Sequence, residues 1–176
     1  GEGDEVEIIL DQTPFYGEAG GQVGDTGWLK RQDTRIKIID TFRIGAGIIV
    51  HKGTVQKGNI REGQRLKAEV DARRRKDIAR NHTATHLLHA ALREVLGEHV
   101  KQAGSLVAPH RLRFDFSHFI RLSLEQLQEV ERFVNQNIIE NYPLQIQEMK
   151  RKEAISSGAI AIFEERYGDI VRVVKI

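Results

Sequence analysis

The sequence contains no cysteine, so disulfides play no part in its stability and any metal ligand it supplies must be His, Asp or Glu. No apolar run approaches the roughly 20 residues that a helix needs to span a bilayer. Gly1 to Asp4 shows no basic stretch leading into an apolar one, so no secretory signal is visible. A cytoplasmic protein is the expectation. There is no internal repeat and no low-complexity linker. There is also little net charge, +2 over 176 residues, but the positive charge is unevenly placed. Arg73, Arg74, Arg75, Lys76 and Arg80 crowd one short stretch, opposed only by Asp77. Such a run neutralises phosphates or serves as the solvated start of a helix.

What is present divides into two grammars. Residues 1–70 read as all-β. Glu5 to Leu10, Arg35 to Phe42 (with Ile36, Ile38 and Ile39), Gly47 to Val55 and Arg65 to Val70 are strand candidates, separated by Gly-rich punctuation. Short strands with glycine turns predict a small barrel or sandwich. From Asp71 the period becomes helical. Leu88, Ala91, Leu92 and Val95 follow the i, i+3, i+4, i+7 spacing of a core-facing stripe, and Gly97 is a stop. Gly104 to Val107 and Leu112 to Phe116 read as a hairpin through Pro109. Ser123 with Gln126 forms a capping box for a second helix, whose stripe is Leu127, Val130, Val134 and Ile138. Leu144 to Met149 is extended, Glu153 to Gly158 a short helix, and Ala159 to Phe163 and Ile170 to Ile176 strands around Tyr167-Gly168-Asp169. The expected class is α+β: a Gly-rich β-barrel subdomain over 1–70, and over 71–176 two long helices against an antiparallel sheet.

The chemistry concentrates in His82-Thr83-Ala84-Thr85-His86. Two imidazoles one turn apart lie within about 40° of each other on a helix, the spacing with which one helix offers two ligands to a metal ion. His89 falls on the same side, roughly opposite the Leu88–Ala91–Val95 stripe, so the histidines are expected to face solvent or a cleft. A zinc-protease helix needs Glu directly after the first histidine, and Thr83 stands there. Thr83 and Thr85 flank the pair, either to meet a bound group or to hydrogen-bond the preceding turn. A catalytic zinc takes three protein ligands. His89 lies about 10 Å along the helix from His82, too far for the same ion. His99, His110, His118 and Asp115 stay open as third ligands.

Asn81 to Leu92, with the pentapeptide inside it, resembles the start of the editing core of alanyl-tRNA synthetases. Three further stretches agree with that family, in order: Thr13 to Asp25, a Gly-rich motif; Val100 to Leu106 followed by Leu112 to His118, the hairpin after the first helix; and Gly158 to Phe163 with Tyr167-Gly168-Asp169. Threonyl-tRNA synthetases and free-standing alanyl-tRNA editing proteins share the HxxxH core. The resemblance implies zinc, with His82 and His86 as the first two ligands and a later Cys-x-x-x-His as the rest. The sequence has no Cys, so it reads as a fragment ending before that half of the site. The resemblance also implies Thr85 as a residue of substrate discrimination and Gln102 as a polar residue of the editing pocket, the two catalytic candidates. ATP and magnesium would belong to an activation domain outside this sequence.

The implied activity is hydrolysis of mischarged seryl- or glycyl-tRNA(Ala). An alanine pocket discriminates against one methyl or one added hydroxyl by only about 1–3 kcal/mol, which calls for a second, hydrolytic site. The expected partners are the acceptor end of tRNA(Ala) and the other domains of the parent enzyme. Thr83, Gly20, Gly21, Gln22, Arg73, Arg74 and Arg80 are the candidates to bind substrate or tRNA. For the glycines the alternative is ordinary turn formation. For the whole chain the alternatives are a non-catalytic tRNA-binding or packing fragment, or a free-standing or threonyl-type editing domain.

Overall fold

The computed structural model describes residues 1–159 and 168–175. In chain order these carry β1 (Glu5–Ile9), β2 (Gly27–Arg31), β3 (Thr34–Ile44), β4 (Ile48–Lys57), β5 (Lys67–Val70), α1 (Ala72–Leu96), β6 (Gln102–Ala108), β7 (Arg111–Phe116), α2 (Leu124–Glu140), β8 (Gln145–Lys150), α3 (Arg151–Ser156) and β9 (Ile170–Lys175). The class is mixed, with antiparallel sheet and three helices. None of the helices among the described residues is long and apolar enough to cross a membrane. The chain divides into two compact units, one of residues 1–86 and 104–115, the other of residues 87–103 and 116–176.

In the first unit, β1 to β5 form one antiparallel sheet in the order β1-β4-β3-β2-β5. The ladder is open, with β1 and β5 at its edges, so the closure expected of a barrel is not seen among the described residues. Its core is Phe15, Leu29, Ile36, Ile38 and Val55, each at most 2% exposed, with Val6, Ile8, Leu66 and Val70 packed around them. Strand β2 was not among the sequence candidates. Its five residues bury only Gly27 and Leu29, too short an alternation to stand out.

Strand β3 departs from simple alternation, and the departure matters. Ile36 and Ile38 point inward, but the pairing then jumps from Ile38↔Gly53 to Asp40↔Lys52. Ile39 is the extra residue of a bulge and is 51% exposed. A bulge shifts the parity of everything after it. Asp40 therefore stays out of the core, and Thr41 becomes fully buried in its place. Ile39 lies in the strand that the sequence predicts, but the bulge leaves it on the surface.

Helix α1 is preceded by Asp71, whose carboxylate accepts the Arg74 N–H at 3.0 Å, and followed by Gly97 with φ +113°. In the second unit, α2 has the capping box that its sequence predicts: Ser123 Oγ accepts from Gln126 N–H at 3.2 Å, and Gln126 Oε1 from Ser123 N–H at 2.9 Å. Of its apolar stripe only Val130 is buried; Leu127 and Ile138 are exposed. Strands β8 and β9 pair antiparallel from Gln145↔Lys175 to Lys150↔Ile170. The strand expected over Ala159 to Phe163 and the turn at Tyr167 lie largely outside the described residues, as does Ile176.

Candidate functional site

The Gly-rich segment is held rigid before it reaches the histidines. Thr41, turned inward by the bulge, donates its hydroxyl proton to Asp25 O at 2.8 Å, and its carbonyl accepts Glu18 N–H at 2.9 Å. Asp25 is 1% exposed. Its carboxylate accepts Tyr16 N–H at 2.7 Å and takes both Nε and Nη2 of Arg75. At the upstream end of the segment, Thr13 meets His51, which is completely buried and fully bonded. Ile8 O lies 2.9 Å from His51 Nδ1 and can only accept, so Nδ1 carries the proton. His51 Nε2 then accepts from the Thr13 hydroxyl at 2.7 Å, which in turn accepts Phe15 N–H at 3.1 Å. Burial pushes the His51 imidazole below its ordinary range, which suits a neutral ring with both nitrogens engaged. No sequence pattern marked His51, and Asp25 appeared only as the last residue of the Gly-rich motif.

Between these anchors, Ala19-Gly20-Gly21-Gln22 forms a two-residue turn. Ala19 N–H donates to Gln22 O at 3.2 Å, and Gln22 N–H to Ala19 O at 3.0 Å. Gly20 (φ +59°) and Gly21 (φ +82°) are both left-handed, the requirement of a type I′ turn. The turn sits along β6: Val107 N–H donates to Gly21 O at 2.8 Å, and Val23 N–H to Val107 O at 3.1 Å. A Cβ on Gly21 would lie 2.2 Å from Ser105 Oγ and 2.6 Å from Ser105 O, whereas one on Gly20 would meet nothing within 4 Å. Gly21 is thus fixed by packing within the fold, and Gly20 is the open tip.

The turn delivers Gln22 to the histidine pair. Gln22 Oε1 lies 2.7 Å from His82 Nδ1. The His82 and His86 rings stack at 5.1 Å between centroids with planes 15° apart, as the i, i+4 spacing requires. Desolvation, followed by the neighbouring His86, lowers the pKa of His82. His86 keeps an open face, yet partial desolvation lowers its pKa as well. Both rings therefore favour the neutral form, the one that binds a metal ion. Asn81 ties this stretch of α1 to the end of β6 by donating to Ala108 O at 2.7 Å. Zinc, which the family resemblance implies, finds two neutral nitrogen donors here. Among the described residues no group of three or more His, Asp or Glu side chains is placed to hold a metal ion. The pair fits as part of a ligand set, not as a whole one.

Two expectations for α1 need correction. His89 is 4% exposed and Thr85 6%, so His89 does not share an open face with His82 and His86. At about 100° per residue, Ile78, Thr85, His89 and Leu92 form one buried face, and Leu87 and Ala91 lie on a second. Leu88 and Val95, taken as core from their spacing, are only half-buried. A helix covered on two sides buries polar residues that the period of its apolar ones does not flag. The Thr85 hydroxyl donates to Asn81 O at 2.8 Å, so its proton is committed to the preceding turn and its oxygen is left to accept. Thr83 is half-buried.

The basic cluster splits by task. Arg74 donates to Gly24 O at 2.7 Å and Arg75 binds Asp25, so both brace the Gly-rich segment. Arg73 and Lys76 are exposed, and Arg80, 72% exposed, pairs with Asp77 at 2.5 Å. Gln102, the first residue of β6, is half-exposed and belongs to the second unit. His99 and His118, also in the second unit, bond each other at 2.9 Å.

Comparison with known proteins adds independent evidence. Residues 1–74 match the family model described as tRNA synthetases class II (A). Over 174 residues, 99% of the chain, 53% of positions are identical to alanine–tRNA ligase of Acetivibrio thermocellus. This chain belongs to the alanyl-tRNA synthetase family. The alanine–tRNA ligases of Thermotoga petrophila (50% over 173 residues, 98% of the chain) and Desulfosudis oleivorans (50% over 174 residues, 99%) match it over the same extent. In each case the chain spans only 20% of the relative's length. The five-stranded sheet and the Gly-rich turn lie within the family match, and the histidine pair lies beyond it, in the stretch shared with the alanine–tRNA ligases.

Proposed function

We propose that this chain is the editing region of an alanine–tRNA ligase and that it hydrolyses tRNA(Ala) wrongly charged with serine or glycine. The observation that carries the reading is the stacked His82–His86 pair, biased to its neutral form and braced by Gln22, within a chain about half identical to alanine–tRNA ligases. Residues 1–70 are the Gly-rich subdomain and 71–176 the editing core. His82 and His86 would be two donors to a zinc ion, as part of a larger ligand set. Bound there, the ion would bind the substrate's amino group, polarise the ester or activate water. Thr85, its own proton spent on Asn81 O, accepts a hydrogen bond from a serine hydroxyl, which glycine cannot donate. Thr83 flanks the histidine pair on the opposite side from Thr85, and Gln102 orients substrate or water. Arg73 and Arg80 meet phosphates of the tRNA acceptor end, with Gly20 giving the backbone close approach. Arg74 acts there through the segment it braces. The other domains of the ligase are the remaining partners, ATP and magnesium belong to its activation domain, and the compartment is the cytoplasm.

The test is deacylation of seryl-tRNA(Ala) by the full-length ligase carrying His86→Ala or Gln102→Ala. Loss of even an outer partner costs a metal site about tenfold or more, so at least about a tenfold fall is expected for His86→Ala. Unchanged deacylation in both variants would overturn the site and leave this region as a non-catalytic packing or tRNA-binding element.

A further inference from the structure

Gln22 stands in the Gly-rich segment, where the family resemblance offers only a generic contact to substrate or tRNA. The structure gives it a more specific partner. Its side-chain oxygen is 2.7 Å from His82 Nδ1, 60 residues away in sequence. A neutral imidazole carries one N–H, on either nitrogen, and the hydrogen bond made by one nitrogen decides which lone pair the other presents. An amide oxygen accepts and does not donate. We propose that Gln22 is a positioning residue: it holds His82 in the Nδ1–H tautomer and so reserves Nε2 as the lone-pair atom of the histidine pair.

The backbone around Gln22 is built to keep it there. The type I′ turn fixes its Cα through two hydrogen bonds to Ala19. The turn is seated on β6 through Val107, and Gly21 packs so closely on Ser105 that no larger residue fits. On the other side, Asn81 fixes the helix next to His82 by its bond to Ala108 O on the same strand. Both partners of the Gln22–His82 bond are therefore mounted on one strand, β6. The Gly-Gly pair acts as a rigid arm rather than as a flexible loop. Metal-bound histidines commonly need such an outer partner to set their tautomer and ring orientation. The importance of the bond rests on the editing reading, but its existence does not.

The experiment is a long-range proton–nitrogen NMR correlation on the nitrogen-15-labelled, metal-free chain, at a pH where imidazoles are neutral, with His82 assigned by comparison with His82→Gln. The expected result is Nδ1–H at His82 in the unaltered chain, retained in Gln22→Glu, whose carboxylate still accepts, and lost or mixed in Gln22→Leu. His51, locked as Nδ1–H by Ile8 O, reports that each variant is folded. An Nε2–H tautomer at His82 in the unaltered chain, or no change in a folded Gln22→Leu, overturns the proposal. The first of these needs no variant, so misfolding of Gln22→Leu does not shelter the idea. No tRNA or metal enters the measurement, so its failure is distinct from failure of the deacylase reading.

Discussion

Replacing Arg75 should destabilise the protein far more than replacing its partner Asp25, although the two share one ion pair. The asymmetry follows from burial. The Asp25 side chain is 2% exposed and the Arg75 side chain 43%. In Arg75→Leu the carboxylate keeps the Tyr16 N–H, at 2.7 Å, but loses its counter-charge. Breaking a buried pair from this side costs about 3–5 kcal/mol, and the loss of the Arg75 bond to Pro14 O at 2.6 Å adds to it. In Asp25→Asn the amide oxygen still accepts Tyr16 N–H, and the half-exposed guanidinium recovers water. The cost there is a charge-assisted bond weakened by solvent, about 1–2 kcal/mol. The double variant removes the orphaned charge, so it should be more stable than Arg75→Leu alone by about 1–2 kcal/mol, a coupling that adjacent residues commonly show. Urea unfolding of the four proteins, followed by circular dichroism, gives these values directly. If Arg75→Leu costs no more than Asp25→Asn, or the two losses simply add, then Asp25 is not the buried, guanidinium-dependent anchor of the Gly-rich segment.

Two further predictions use the same segment. Gly21→Ala forces a Cβ to within 2.6 Å of a backbone oxygen at φ +82°. It should cost at least about 2 kcal/mol, against about 1 kcal/mol for Gly20→Ala, which carries the left-handed penalty alone; equal midpoints in urea would refute the packing role of Gly21. His51 is held neutral in the fold with its pKa lowered by burial, so below the unfolded-state value of about 6.5 the unfolded chain binds the proton first. Its contribution is fully present above that pH and is lost as pH falls towards the folded value, with a slope of at most about 1.4 kcal/mol per pH unit. Unfolding curves from mildly alkaline to mildly acid pH should show a shallower dependence for His51→Gln, and an unchanged profile would contradict the assignment.

Much of this molecule is legible in its sequence because the signals are local. The capping box of α2 needs only Ser123 and Gln126 three residues apart, and the stacking of His82 on His86 needs only one helical turn. The Gly-Gly pair announces a turn, since few other residues tolerate two left-handed positions in a row. The rest depends on contacts between distant segments. The bulge at Ile39 is set by how β3 registers on β4, and it decides that Thr41, not Asp40, faces inward. The burial of Thr85 and His89 depends on α1 being covered on two sides, which a single apolar period does not encode. Arg74 and Arg75 read as phosphate-binding charges by composition, yet Gly24 and Asp25, some 50 residues earlier, claim them. Sequence by itself determined the histidine pair, because helical spacing is a property of the chain. Only the tertiary structure decided which nitrogen of His82 is free, because that depends on Gln22, brought to it across 60 residues by a turn seated on β6.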